Sequence, residues 1–381
     1  MTGETTREAP LQEVDVLVAG LGPGGCVAAL AAHAEGFSTL AVEARGPEAT
    51  RPQLVLVRPG ARAALQRLQL HDITEGRRTT TLRQVENRLR RTVETAANST
   101  APRAASTAGA ALDLHWHTSV VRLEPSVDGV LATLRDELAC TERTVKARHV
   151  VDAAGGRLES LGRPARAPAG PGHVVVIAEY ATPPWFGSLV GVRDPATHEL
   201  YSLFPTWKRQ SVIAYLDTPP RQQVDDAALI RRFESIAARL ELGPPLQPLQ
   251  AIDVAQLLLP RSADDRVIAI GDAVGTVDVL LGAGGSAAIE DGIDAVRGIA
   301  AAQRDRSPDG GQSHIRAASE RILARHRLWT RRGRLMLALR PLFERVWPRA
   351  PLTSVERGTV GPPPLLWAAV RFVCGRRPQP S

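Results

Sequence analysis

One stretch near the beginning of the 381-residue chain limits its possible folds more than any other. Residues 14–45 read VDVLVAGLGPGGCVAALAAHAEGFSTLAVEAR: a short apolar run, a glycine-rich turn, a run of small residues and a second apolar run. Short valine-rich runs are typical of buried parallel strands, and a small-residue run is typical of a helix packed closely on a sheet. The stretch therefore predicts a strand, a turn, a helix and a second strand, as in an α/β fold.

The turn has the pattern G-x-G-x-x-G. Gly20, Gly22 and Gly25 supply the three glycines, and Pro23 and Gly24 lie between the last two. In a dinucleotide-binding turn the first glycine allows the tight bend, the second lets a pyrophosphate approach the backbone, and the third lets the helix pack on the strand. The turn therefore predicts a bound dinucleotide.

An acidic residue supports this prediction. Glu43, followed by Ala44, ends the second strand about 20 residues beyond the turn, where a carboxylate accepts the ribose hydroxyls of an adenosine. An acidic side chain there disfavours the 2′-phosphate of NADP. The alternative, a glycine turn without a ligand, leaves Glu43 unexplained. These residues fit NAD and FAD equally well.

A second stretch, residues 266–298, reads RVIAIGDAVGTVDVLLGAGGSAAIEDGIDAVRG. Its first apolar run predicts a strand that ends at Gly271 and Asp272. A glycine-rich turn then opens a helix of small residues, and its glycines are Gly282, Gly284 and Gly285.

The two stretches together resemble the FAD fingerprints of the class A flavin monooxygenases, which have the para-hydroxybenzoate hydroxylase fold. The second fingerprint of that family usually reads G-D-A-A-H-x-x-P-P-x-x-G-x-G-x-N. The chain keeps the family residue at Gly271, Asp272, Ala273, Gly282 and Gly284. It departs from the family pattern at Gly275, Asp278, Val279 and Ser286. The resemblance extends over residues 14–300 and implies that the dinucleotide is FAD.

The resemblance also implies an architecture. The expected fold class is α/β: a Rossmann-like FAD-binding domain, an inserted β-sheet substrate domain and a C-terminal helical segment. The expected boundaries are 1–165 with 250–310 for the FAD-binding domain, 166–249 for the substrate domain and 311–381 for a basic helical cover.

Several site residues take their expected roles from the same resemblance. In the family the Gly-Asp pair contacts the ribityl and phosphate region of the flavin, and Asp272 is expected to make the same contact. Arg51 occupies the place of an arginine that reaches the flavin phosphates or moves with the ring. Arg83 lies in the first turn of the predicted amphipathic helix Thr81–Ala97, and the corresponding part of the family helix touches the pyrophosphate. The alternative for both arginines is a solvated surface position.

Asp278 is the candidate catalytic residue, because it is the ionisable side chain within the apolar turn 277–281. Facing the flavin ring, it would be desolvated, which raises the pKa of a carboxyl and allows acid–base chemistry. Facing solvent, it would be an ordinary turn residue.

Four strands are expected between residues 174 and 216, and this stretch contains seven of the fifteen aromatic residues of the chain. Aromatic side chains beside a flavin suit a hydrophobic, polyketide-like substrate, and the pocket candidates are Tyr180, Tyr201, Phe204 and Trp207. The alternative is that these rings form the core of the sheet itself.

Further short strands are expected between the two fingerprints. A β-meander is predicted from the runs Leu112–Trp116, Ser119–Leu123, Val130–Leu134 and Thr144–Ala147, with a separate strand at His149–Gly156. His115 and His117 form an H-x-H pair with no third metal ligand nearby, so a structural role is expected and no metal site is assigned.

Composition excludes other classes of protein. The formal net charge is +7, but the arginines are spread along the chain instead of clustering with aromatic residues, so no nucleic-acid partner is expected. The three cysteines form no metal or disulfide pattern, and no signal segment or spanning run is seen, which predicts a cytoplasmic protein. The basic C-terminal segment could cover the pocket, form a homodimer of an otherwise monomeric protein, or weakly contact a membrane surface.

The expected function is an FAD-dependent oxidoreductase, foremost a monooxygenase that tailors a hydrophobic small molecule of a secondary-metabolite pathway, with NAD(P)H as reductant. A redox-neutral FAD-dependent cyclase is the alternative. It is motivated by Ala154-Gly155, which replaces the Asp-Gly pair that links FAD and NADPH in the family, and by the loss of the family prolines at Asp278 and Val279. A reductase, a dehydrogenase and a non-catalytic flavoprotein remain open as well.

Overall fold

The computed structural model describes residues 11–49, 51–73, 79–99, 111–155, 174–184, 186, 190–193, 200–206, 211–217, 225–253, 264–275, 282–305 and 310–346. Its strands are β1 Gln12–Ala19, β2 Thr39–Glu43, β3 Leu54–Leu56, β4 Thr79–Thr81, β5 Leu112–Trp116, β6 Thr118–Ser126, β7 Gly129–Asp136, β8 Thr141–Asp152, β9 Val174–Ala181, β10 Val190–Arg193, β11 Leu200–Pro205, β12 Ser211–Asp217, β13 Gln250–Asp253 and β14 Val267–Ala269. Its α-helices are α1 Pro23–Ala34, α2 Pro59–Arg67, α3 Leu82–Ala97, α4 Asp226–Arg239, α5 Gly284–Arg304 and α6 Gly310–Val346.

The first sheet contains the two fingerprints. Its strands follow the order β5-β2-β1-β8-β7-β6, and β14 also pairs with β8. The strand pairs β5–β2, β2–β1, β1–β8 and β8–β14 are parallel. The pairs β8–β7 and β7–β6 are antiparallel and form a meander. The α/β fold class expected from the sequence is confirmed.

The strand β8 belongs to both parts of this sheet. Its first half, up to Ala147, pairs with β7, and Val150 to Asp152 pair with β14. Two predictions are corrected here. The separate strand expected from His149 is the second half of β8, and Leu112–Trp116 lies at the far edge beside β2 instead of in the meander. Short alternating runs predict strands, but they do not say which strands pair.

Two helices cover one face of the first sheet because their residues are small enough for a close approach. Val16 and Val18 of β1 face α1 and α5 in the main hydrophobic core, and Leu17 faces the meander on the other side. A Cβ atom at Gly24 would lie 2.7 Å from the carbonyl oxygen of Ala288, so α1 and α5 pack almost backbone to backbone. The helix predicted from the small-residue run after the glycine turn is confirmed.

The second sheet has the order β10-β11-β12-β9-β13. The four strands expected between residues 174 and 216 are confirmed, with slightly different ends. The fifth strand, β13, pairs with β9 across Gln250 to Asp253, so these residues belong to the second sheet and not to the FAD-binding domain, whose second segment was expected to begin at 250.

The helix α6 packs along α5 and buries Ile315, Ala318, Ile322 and Trp329. The helix α6 confirms the helical C-terminal segment expected from the sequence. Residues 347–381 lie outside the described residues. In the part of the chain that the structure describes, no helix is both long and apolar enough to cross a membrane.

Candidate FAD-binding site

The candidate site lies at the carboxyl edge of the first sheet. The parallel strands β1, β2, β8 and β14 end side by side there, at Ala19, Glu43, Asp152 and Ala269. Ligands of open α/β sheets bind outside this edge, where connections leave in opposite directions. The pairing therefore brings Gly20, Glu43 and Asp272 together although they are far apart in sequence.

The first glycine turn is held in place by its own backbone. Gly20 has φ +98°, and a Cβ atom there would lie 2.6 Å from the carbonyl oxygen of Ala153. A Cβ atom at Gly25 would lie only 1.8 Å from the carbonyl oxygen of Gly20. Both positions therefore require glycine because of protein packing alone. Pro23 begins α1, where a missing N–H costs nothing.

Gly22 and Gly284 differ from these glycines. Gly22 has φ −68°, which any residue adopts, and a Cβ atom there would meet only the Nη2 atom of Arg51, at 3.3 Å. A Cβ atom at Gly284, the first residue of α5, would meet no atom of the described residues within 4 Å. No contact within the described protein explains glycine at these two positions, one in each fingerprint. A cofactor lying against both turns explains it, so the residues present fit a dinucleotide.

Glu43 has the position and the charge expected of a ribose-binding carboxylate. Its Oε2 atom accepts a hydrogen bond from Leu21 N at 2.8 Å, and its Oε1 atom accepts from Arg45 N and Nε at 3.2 and 2.9 Å. Burial alone would raise the pKa of Glu43, but Arg45 and the two backbone N–H groups lower it overall. The carboxylate therefore stays ionised, and Oε2 retains a lone pair for a ribose hydroxyl. Ala44, the next residue, is exposed at the edge.

In space, Arg51 lies near residues of both fingerprints, Gly22 in the first and Asp272 in the second. Its Nε and Nη2 atoms both donate to Glu86 Oε1, at 3.1 and 2.7 Å. Burial would lower the pKa of Arg51, but the negative charges of Glu86, Asp272 and Glu43 raise it. A guanidinium beside the open face of Gly22 is suited to a phosphate group. Asp272 itself is exposed at this edge.

Glu86 and Arg90 were not predicted as site residues. Both are buried on α3, and Arg90 donates to the carbonyl oxygens of Leu21, Pro47 and Ala49 at 3.2, 3.0 and 2.7 Å. Glu86 orients Arg51, and Arg90 fixes the loops that follow β1 and β2. The sequence contained one sign of this role: the two charged residues are four positions apart and border the apolar stripe of the helix.

Arg83 has a different partner from the expected pyrophosphate. Its Nε and Nη2 atoms donate to the two carboxylate oxygens of Glu179 on β9, at 2.8 and 3.0 Å. Glu179 is fully buried and also accepts from Ser211 Oγ at 2.7 Å. In the structure Arg83 therefore joins α3 to the second sheet, and a phosphate contact stays a prediction.

The second sheet turns one face towards the FAD-binding domain. Val175, Ile177, Ile213 and Tyr215 lie on this face together with Leu54 of β3. The hydroxyl of Tyr215 accepts a hydrogen bond from Leu54 N at 3.0 Å. This face is therefore a mostly apolar wall that packs against β3.

Only part of the predicted pocket lies on this face. Phe204 does, and its ring meets that of Tyr215 edge to face with centroids 5.2 Å apart. Tyr180 and Tyr201 lie on the opposite face, where both pack against Phe233 of α4. Their assignment to the pocket is therefore wrong, because adjacent residues of a strand point to opposite faces.

Other predicted residues have the following placement. Trp207 and Asp278 lie outside the described residues, and their roles stay predictions. Gly271 has φ +58°, and Gly282 and Gly285 pack against β3 at the start of α5. The turn after β8 is closed by Ala154 N, which donates to the buried Asp152 Oδ1 at 3.1 Å.

The two histidines of the H-x-H pair have different surroundings. His115 lies 3.2 Å from Arg143 Nη2, and His117 follows the end of β5 with φ +52°. Among the residues that the structure describes, no group of three or more histidine, cysteine, aspartate or glutamate side chains could hold a metal ion.

The fold and this edge define a dinucleotide-binding α/β protein that presents a second sheet beside the cofactor site. A family model described as FAD binding domain matches residues 13–325. The chain therefore belongs to this family and its cofactor is FAD, which confirms the resemblance to the class A flavin monooxygenases.

Three known proteins are similar to the chain. Aklavinone 12-hydroxylase DnrF of Streptomyces peucetius is 29% identical over 209 residues, which cover 50% of this chain and 42% of the relative. The match thus spans less than half the length of that curated relative. The flavin-dependent monooxygenase PieE, solved in complex with FAD and substrate, has a TM-score of 0.68 at 18% identity, covering 96% of this chain and 72% of its own. p-Nitrophenol 4-monooxygenase PnpA from Pseudomonas putida DLL-E4 has a TM-score of 0.66 at 15% identity, covering 96% and 94%. At these identities the two structures show the shared fold.

Proposed function

We propose that the protein is an FAD-dependent monooxygenase that tailors a hydrophobic, ring-containing small molecule of a secondary-metabolite pathway. The proposal is supported by membership of the FAD-binding family and by the similarity to a hydroxylase named for aklavinone. The observation that carries the substrate class is Phe204, a partly exposed aromatic side chain at the margin of the apolar face that the second sheet turns towards the FAD-binding domain.

The chain's own residues have two tasks under this proposal. Glu43 binds the ribose of the adenosine, Arg51 binds phosphate, and Asp272 binds the ribityl and phosphate side of the flavin. The margin of the second sheet's apolar face around Phe204 binds the substrate and excludes water from it. Bound FAD would supply two-electron redox chemistry with a nicotinamide as reductant and O2 as oxidant, one oxygen atom going to the substrate and the other to water.

The departures from the family pattern suggest that reduction depends on substrate. Ala154 offers no carboxylate where the family links FAD to NADPH, so NAD(P)H alone should reduce the flavin poorly. Bound substrate should accelerate reduction by orders of magnitude. The reductant, a monomeric or homodimeric state, a cytoplasmic location and a weak membrane contact of the C-terminal segment remain expectations of the proposal.

The test mixes the purified flavoprotein with NADH or NADPH without oxygen, with and without a polycyclic aromatic polyketide such as aklavinone, and follows flavin absorbance. Turnover under isotopically labelled O2 then gives oxygen uptake and product mass. The proposal expects fast bleaching with substrate and a product that carries one labelled oxygen atom. Bleaching and substrate reduction without oxygen transfer would instead indicate a reductase.

The cyclase is a second outcome of the same assay. It predicts an isomeric product formed with no change in flavin absorbance and no oxygen uptake, and that result would overturn the monooxygenase. No specific contact among the described residues favours the cyclase.

A further inference from the structure

Outside the predicted site, a cluster of buried and half-buried charged residues joins α6 to α5. Arg325 and His326 come from α6, and Glu290, Asp291 and Asp294 come from α5. This cluster lies directly behind the turn of residues 271–275, which carries Asp272. It was not predicted from the sequence, and binding of FAD does not require it to touch the cofactor.

Asp291 connects the cluster to the turn. It is fully buried, and its Oδ2 atom accepts hydrogen bonds from Gly271 N at 3.0 Å and from His326 Nε2 at 2.7 Å. Its Oδ1 atom accepts from Arg325 Nη1. Gly271 has φ +58°, a conformation that favours glycine, and it immediately precedes Asp272. The carboxylate of Asp291 therefore fixes the backbone from which Asp272 projects.

His326 holds the other end of the same turn. Its Nε2 atom faces Asp291 Oδ2, and its Nδ1 atom lies 3.0 Å from the carbonyl oxygen of Gly275. Both partners can only accept a hydrogen bond, whereas a neutral imidazole has a single N–H group. Two satisfied contacts therefore require the imidazolium form with both nitrogens protonated.

The charges around His326 favour that form. Burial alone would lower the pKa of His326, but Asp291, Asp272 and the carbonyl of Gly275 raise it above the ordinary value. The charged groups that face the cluster are Arg325 on α6, Glu290, Asp291 and Asp294 on α5, Asp272 on the turn and Arg58 before α2. The ring is 1% exposed, so water cannot replace a lost partner.

We propose that His326 is a positioning residue of the FAD site: as an imidazolium it ties Gly275 and Asp291 together and thereby holds Asp272 towards the cofactor. The proposal rests on the FAD assignment and not on the reaction or the substrate. It makes FAD affinity depend on the protonation of a residue that does not touch FAD.

The sign of the dependence follows from the raised pKa. Both hydrogen bonds are complete when pH is low enough for His326 to be protonated in the folded protein. As pH rises through the folded-state pKa, one N–H group is lost, and a nitrogen lone pair then faces an oxygen lone pair. The turn loosens, so FAD affinity and the stability contributed by this residue fall as pH rises.

The experiment titrates apoprotein with FAD by fluorescence quenching from about pH 6 to about pH 9, across and above the usual range of histidine titration. The wild type should lose about tenfold in affinity over this range, the effect of one hydrogen bond. His326→Gln, which cannot bridge both acceptors, should bind weakly with no such dependence on pH.

His149 on β8 supplies the matched control. Burial lowers the pKa of His149 to about 4, so it stays neutral throughout this pH range. His149→Gln should therefore retain the pH profile of the wild type. Nitrogen-15 spectra of the apoprotein give a second readout that needs no FAD: the signal that is present in the wild type and missing in His326→Gln should show both nitrogens protonated at neutral pH.

Three results would overturn the proposal. The wild-type affinity could be independent of pH, the His326→Gln variant could keep the wild-type pH profile, or the spectra could show His326 in a neutral form. A wild-type protein that binds no FAD at any pH would overturn the cofactor assignment instead, and the nitrogen-15 spectra would still report the protonation of His326.

Discussion

The two halves of the FAD site are built in different ways. In the first half, the turn at Gly20 to Gly25 packs mainly on itself: the carbonyl oxygen of Gly20 leaves no room for a side chain at Gly25, and one group from outside the β-turn-α unit, the carbonyl of Ala153, leaves none at Gly20. In the second half, the turn at Gly271 to Gly275 is held by Asp291 on α5 and His326 on α6. The first half is local, and the second depends on a helix that begins well after the fingerprint.

This difference explains why the glycine spacing of a fingerprint predicts the geometry of the first half better than that of the second half. A turn that packs on itself shows its requirements in the spacing of its glycines. A turn that is held from outside shows only its own residues, and the side chains that support it are spread over later parts of the chain. The second half should therefore be the more sensitive to distant substitutions.

Asp291→Ala should have the largest effect, because Asp291 is fully buried and its loss leaves the buried His326 and the half-buried Arg325 without their shared carboxylate. Breaking a buried ion pair by removing one partner costs about 3–5 kcal/mol of folding free energy. Urea unfolding of the apoprotein measures this loss. Asp294→Ala is the control, since Asp294 is partly exposed and should cost much less. Equal, small losses for both variants would contradict the central position of Asp291.

Gly22→Val should abolish FAD binding while the apoprotein keeps its melting temperature within about 1 °C, a free-energy change of about 1 kcal/mol or less for a chain of this length. The new side chain would meet only the movable end of Arg51 but would occupy the place of the pyrophosphate. Gly25→Ala separates the two effects, because its Cβ atom would clash with Gly20 and destabilise the apoprotein by about 1–3 kcal/mol. Normal FAD binding by Gly22→Val would refute the open-face argument.

Asp272→Ala should weaken FAD binding about tenfold to a hundredfold, the range for a hydrogen bond to a charged group. Asp278→Ala, in the segment that the family uses to shape the reacting face, should weaken it less. Titration of both apoproteins with FAD compares them. An unchanged affinity in Asp272→Ala would remove Asp272 from the site.

Tyr215→Phe should have the smallest effect, about 1 kcal/mol, because Leu54 N loses its acceptor between the second sheet and β3. Tyr201→Phe is the matched control on the other face of the same sheet. The Tyr201 hydroxyl is buried and has no hydrogen-bond partner within the described residues, so its removal should be neutral or stabilising. Thermal unfolding compares the two, and equal losses would contradict the different roles of the two faces.

The same distinction between local and distant contacts decides what the sequence could predict. The first strand, its turn and α1 follow from residue spacing, and Glu43 lies where that spacing expects a carboxylate. The side chain of Glu179 could not be predicted as the partner of Arg83, because it lies on another sheet.

The other incorrect predictions concern strands that are buried on both faces. Tyr180 and Tyr201 are aromatic residues on the second sheet, as are Phe204 and Tyr215, and only the three-dimensional pairing shows which face meets the FAD-binding domain. The continuity of β8 was also hidden, because its two halves pair with different neighbours.

The most direct test of the account is to release and weigh the cofactor of the purified protein. If Gly22, Glu43, Asp272 and Gly284 form one site, the protein should be yellow, and mass spectrometry should find FAD, bound non-covalently at about one molecule per chain, as expected when the two fingerprints form a single dinucleotide site. NAD in place of FAD, or a colourless protein that cannot be reconstituted with FAD, would contradict it.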